Sequence, residues 1–214
     1  MLINIYFGIL ILSFLAGIYR FPKLNRANKF FFILIGITLL SEIIASYFRD
    51  KKILTGNLIQ YHIFHIIEYI LICYGYFIEV KSKYIFWGIP LGVLLSIFLS
   101  IFIQPITSFN SYFVNTELFI FTLLSVWTLL KLLQIKTELS FISFPIFWVS
   151  IGWILYTVCN VFFFGTNNTY FQKGSIFETI FFRLLYFSNY LLYLAFTVGF
   201  LAQQNSLSNH GNKQ

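Results

Sequence analysis

Glu42, Glu68, Glu117, His62, His65 and Arg183 all stand inside long apolar runs, and these side chains could do chemistry. Imidazoles change charge near neutral pH, and carboxylates held away from water can titrate with them, so the set could respond to protons or bind a small ligand. Three of them, His62, His65 and Glu68, lie with Gln60 on one stretch, Asn57–Phe77, which reads NLIQYHIFHIIEYILICYGYF. On a helix turning about 100° per residue, Asn57, Tyr61, His65 and Glu68 share a sector of roughly 80°, and His62 and Tyr69 widen it to about 140°. The rest of that helix surface is Ile63, Phe64, Ile66, Ile67, Ile70 and Leu71. One face suits lipid, and the other suits protein or water.

A metal or haem reading of His62 and His65 has to find further ligands. Glu42 and Glu68 could join them, but zinc usually draws three or four ligands, and a haem clasped between two helices wants histidine on both. The remaining histidine, His210, lies in the polar tail at the opposite side. Neither a metal nor a cofactor is expected on these grounds. Enzyme signatures fare no better: there is no G-x-S-x-G, no H-E-x-x-H and no glycine-rich phosphate loop. The last run carries neither the histidines usual in seven-span membrane hydrolases nor a lysine that could form a retinal Schiff base. Lys131, inside the fifth run, reads as a snorkelling anchor near a membrane surface.

The elements that must position these groups are membrane helices. Of 214 residues 59% are hydrophobic and 10% charged, too few charges for a soluble surface. Seven runs are long enough to span: Leu2–Tyr19, Phe30–Phe48, Asn57–Phe77, Tyr84–Ile103, Tyr112–Ile135, Phe141–Phe164 and Ile176–Leu201. The expected fold is an all-α bundle of seven transmembrane helices in a single domain over residues 1–201, with 202–214 as a short polar tail. The first run lacks a basic leader and a small-residue cleavage site, so it reads as a retained span. Cys73 and Cys159 each sit within an apolar run and suggest no disulfide.

Net charge is +7, but the basic residues fall between the runs, which points to anionic lipid rather than nucleic acid. One side holds Arg20, Lys23, Arg26, Lys29, Lys81, Lys83, Lys131, Lys136 and Lys213; the other holds Arg49, Lys51, Lys52 and Lys173. Under the positive-inside rule this excess places the N-terminus outside and the C-terminus inside.

An up-and-down bundle gives each polar group a depth. At about 1.5 Å per residue, Glu42, His62, His65, Glu117, Asn160 and Arg183 all lie roughly 6–12 Å below the outer side, with Glu68 and Asn189 near the midplane. Thr38, Glu42 and Ser46 form a stripe in the second span; Trp148, Gly152, Tyr156 and Asn160 do so in the sixth, where Gly152 would allow close approach of a neighbour. In the seventh, Tyr186, Asn189, Tyr190 and Tyr193 share a face with Arg183 a turn beyond. The expectation is a shared polar pocket in one half of the membrane, lined by Glu42, Asn57, Tyr61, His62, His65, Glu68, Tyr69, Glu117, Tyr156, Asn160, Arg183 and Asn189, with Arg183 paired to Glu42 or Glu68. A plainer reading competes: a static polar network that fixes helix packing.

The pattern Ser41-Glu42, then Asn57, Tyr61, His65, Glu68 and Tyr69, then Glu117, then Pro145-x-Phe147-Trp148-x-x-x-Gly152-x-x-x-Tyr156-x-x-x-Asn160 resembles a family of seven-span bacterial inner-membrane proteins. Similar bundles serve as membrane modules beside, or fused to, histidine kinases. The resemblance implies a sensor in the bacterial inner membrane whose output domain belongs to a partner, since the chain ends soon after the seventh run. A transporter using the Glu/His/Arg network, and a lipid-modifying enzyme, are the alternatives.

Overall fold

A computed structural model describes residues 2–135, 140–166 and 176–202. Among these, seven helical segments are long and apolar enough to cross a membrane: α1 (Leu2–Arg20), α2 (Arg26–Asp50), α3 (Leu54–Val80), α4 (Lys83–Phe98, which reaches spanning length with the π-helical turn Leu99–Ile103 that continues it), α5 (Ser111–Gln134), α6 (Pro145–Thr166) and α7 (Ile176–Leu201). The chain is a multi-pass membrane protein, and each expected run falls within or largely overlaps one helix.

Local chemistry sets the helix ends. Asn25 caps α2 by accepting the Asn28 backbone N–H at 2.9 Å, and Ser82 caps α4 by accepting that of Tyr84 at 3.3 Å. The sixth helix starts four residues later than its apolar run. Phe141–Ser143 forms a tight 3-10 turn, and Pro145, which has no N–H to leave unsatisfied, begins the helix proper. Lys52 closes the α2–α3 turn at φ 58°, in the left-handed region.

Around the bundle, α1, α2, α3, α5, α6 and α7 follow one another and close again on α1, while α4 packs chiefly against α3 from outside. Lipid offers little hydrophobic gain between helices, so packing and small residues hold them together. Gly152 shows this best: a Cβ there would lie 2.9 Å from Cβ of Ala195, so its absence lets α6 and α7 meet as the sequence suggested. Phe31, Phe121, Phe196, Phe200 and Tyr76 fill the centre. Hydroxyls in that interior are satisfied locally, as when Thr38, Thr128 and Thr197 donate to carbonyls one turn back. Tyr76 reaches further, bonding Ser125 of α5 at 2.7 Å and Ser150 of α6 at 3.2 Å.

Candidate functional site

The polar face of α3 turns inward at His65 and Glu68. Their spacing of three places both on one side of the helix, where Nδ1 of His65 lies 3.1 Å from Oε2 of Glu68. The same nitrogen lies 3.1 Å from Oε2 of Glu117 on α5. Glu117 is fully enclosed, and its Oε1 has no hydrogen-bond partner among the described residues. In a largely buried, low-dielectric setting, an imidazole between two carboxylates is a strong electrostatic cluster rather than a packing accident.

Beside this cluster opens a cavity of about 350 Å³. It lies toward the bundle end that carries the α2–α3 turn, and five helices line it: Tyr6 of α1, Thr38, Glu42 and Arg49 of α2, Tyr61, His65 and Glu68 of α3, Trp153 and Tyr156 of α6, and Tyr186, Asn189 and Tyr193 of α7. Tyr6 and Tyr61 lie beside the Glu42 carboxylate, and the hydroxyls of Tyr6 and Tyr193 are 3.4 Å apart. Acid, imidazole, guanidinium and phenol thus face one space, enough to hold a small polar molecule by several directed bonds. Of the residues expected in a pocket, Glu42, Tyr61, His65, Glu68, Tyr156 and Asn189 line it, and Glu117 stands directly behind His65.

Arg183 does not join them. Its side chain is exposed and does not line the cavity. The reason is the rotation of α7: Leu185, Tyr186, Asn189, Leu192 and Tyr193 point inward, and Arg183 sits about 120° around the helix from their mean direction. The guanidinium on the cavity wall is that of Arg49, which also donates to Oγ of Ser46 at 3.2 Å. Sequence reasoning assigned Arg49 to a loop. The available signal was its position seven residues after Glu42, two helical turns along the same face.

Four other expected residues lie outside the cavity wall, three of them with partners elsewhere. His62 looks away from the cavity; its Nε2 donates to the Ser108 carbonyl at 2.9 Å, leaving Nδ1 to accept from the Ser100 hydroxyl at 3.0 Å. It thereby ties α3 to the wide, π-helical turn Leu99–Ile103 after α4 and to the loop before α5. Tyr69 donates to the Gly88 carbonyl at 3.0 Å and packs its ring on Gly92, where any Cβ would collide with it. Asn160 donates to Oγ of Ser188 at 2.6 Å and to the Tyr156 carbonyl at 2.7 Å, joining α6 to α7. Asn57 is half-buried with its Oδ1 enclosed and lies outside the cavity wall. His62, Tyr69 and Asn160 form static ties of the kind the plainer reading expected.

Tyr6 was not singled out by its sequence context, and Trp153 read only as a packing or interface anchor, yet both line the cavity. Both are aromatic residues in aromatic-rich runs, and only their packing distinguishes them from lipid-facing neighbours. No protein-family model, curated protein or solved structure matches the chain.

Proposed function

We propose that this membrane protein is a receptor whose cavity takes a small polar ligand and whose bundle passes the binding event to a partner protein. The observation that carries this reading is the 350 Å³ cavity walled by Glu42, Arg49, Tyr61, His65, Glu68 and Asn189. Its size falls at the small end of ligand pockets, about 300–1,000 Å³, and its few convergent polar groups are what such pockets use for orientation. The ligand is a metabolite, a proton donor or acceptor, or a lipid headgroup, entering from the outer side if the basic residues set orientation as the positive-inside rule directs.

A binding role is favoured over transport by what lies beneath. Tyr69 stacks on Phe121 with ring centroids 6.1 Å apart, and Phe121 meets Trp153 at 4.7 Å. Below them Tyr76, Phe31 and Phe196 fill the midsection. This aromatic layer separates the cavity from the other bundle end. At that end the α1–α2 connection presents Arg20, Lys23, Arg26 and Lys29, a surface for an acidic partner such as a histidine kinase of the bacterial inner membrane.

The test uses purified chain in detergent and in liposomes. A panel of small acids, amines, sugars and phosphates should contain a compound that raises the melting temperature of the wild type and loses that effect in Glu42→Gln. Liposomes carrying a pH-sensitive dye should show no protein-dependent proton flux. Flux that Glu68→Gln abolishes would replace the receptor reading with a transporter.

A further inference from the structure

His65 stands between two carboxylates in an arrangement that hydrogen bonding alone uses poorly. An imidazole nitrogen carries at most one hydrogen, directed along a single line, so Nδ1 cannot serve both Glu68 and Glu117 well at 3.1 Å each. The far oxygen of Glu117 adds a second demand: it is buried without a hydrogen-bond partner among the described residues, on a side chain only 2% exposed. Leaving such a group unsatisfied in a membrane interior is expensive.

We propose that His65, Glu68 and Glu117 bind one divalent transition-metal ion of the zinc type, through Nδ1 and the two carboxylates. Their ligand atoms all lie within 4.8 Å of one another. Around tetrahedral zinc, with bonds of about 2.0–2.1 Å, neighbouring ligand atoms stand roughly 3.3 Å apart. The two separations from Nδ1 of His65 are 3.1 Å, close to that value, and the two carboxylate oxygens, within 4.8 Å of each other, stand on flexible stems that can adjust to it. Charge fits as well. A neutral imidazole, two carboxylates and a divalent ion sum to zero, the state a low-dielectric interior favours.

The donor set selects among ions. Calcium wants six to eight oxygens, and magnesium prefers an octahedron of oxygens and water, so a compact site with one nitrogen suits neither. Imidazole with carboxylates suits zinc, iron or cobalt. Three protein ligands leave a fourth position open, and since His65 and Glu68 line the cavity, that position faces it. An oxygen donor of a cavity ligand would complete the coordination. Metal occupancy does not depend on the receptor reading, because an ion held here would be measured directly whether or not the cavity binds anything else.

The experiment uses the full chain purified through a tag without histidines, stripped with a chelator and then dialysed against Zn²⁺ or Co²⁺. Elemental analysis should find about one equivalent per chain, and Co²⁺ should give the visible bands of a low-coordinate nitrogen and oxygen site. His65→Gln and Glu117→Gln should each weaken binding at least ~10-fold, while His62→Gln, outside the cluster, should retain it. Melting of each stripped variant reports folding separately, and Glu68→Gln stands in if Glu117→Gln does not fold. A folded wild-type chain that takes up neither ion, or takes up both equally well after His65→Gln, would overturn the site.

Discussion

Nδ1 of His65 lies 3.1 Å from Oε2 of Glu117, and this contact joins α3 directly to α5. The helix between them in sequence, α4, is thereby left on the outside of α3. A consecutive bundle would have put α4 between its neighbours; here the polar cluster occupies the α3–α5 seam instead.

Gly152 governs the α6–α7 seam. Gly152→Ala places a methyl 2.9 Å from Cβ of Ala195 and against Leu192, and should cost about 1–3 kcal/mol through overpacking. Adding Ala195→Gly should recover most of that loss in detergent unfolding. Equal loss in the single and double variants would place the clash on Leu192 rather than Ala195.

His62 is a structural tie. Removing it in His62→Ala strands the Ser108 carbonyl and the Ser100 hydroxyl, a local cost of about 1–3 kcal/mol. Hydrogen exchange should quicken across residues 99–110 and stay unchanged in α6. Uniform quickening throughout the chain would instead make His62 a global core residue.

Tyr76 links three helices by its hydroxyl. Tyr76→Phe keeps the ring and deletes the bonds to Ser125 and Ser150. Interhelical hydrogen bonds in membranes average about 0.6 kcal/mol, so the two together should cost on the order of 1 kcal/mol. A Tyr76→Phe protein as stable as wild type would show that both serines find other acceptors.

The two arginines near this bundle end should behave oppositely. Both are exposed, but Arg49 lines the cavity and Arg183 does not. Once a stabilising compound is in hand, Arg49→Gln should shift its half-saturating concentration several-fold, and Arg183→Gln should leave it in place. An effect confined to Arg183→Gln would return that residue to the pocket and require a different rotation of α7.

Much was legible in the residues alone. Apolar runs of spanning length can do little else but form helices in lipid, since backbone groups there must pair within the segment, so the seven spans follow from composition and length. The inward turn of His65 and Glu68 was legible too, because charged groups on an otherwise apolar helix have only the protein interior to go to. The close approach at Gly152 needed no more than the lack of a side chain.

What tertiary structure decided is which helices meet and how each is rotated. Periodicity places residues on a common face, yet says nothing about the direction of that face around the bundle. Hence Arg183 and Arg49 exchanged roles, and His62, one residue beyond Tyr61, found its partners in the α4–α5 connection. The pairing of Glu117 with His65 depended on α3 touching α5 past α4. That choice is made by packing summed over many side chains, and no single spacing in the chain encodes it.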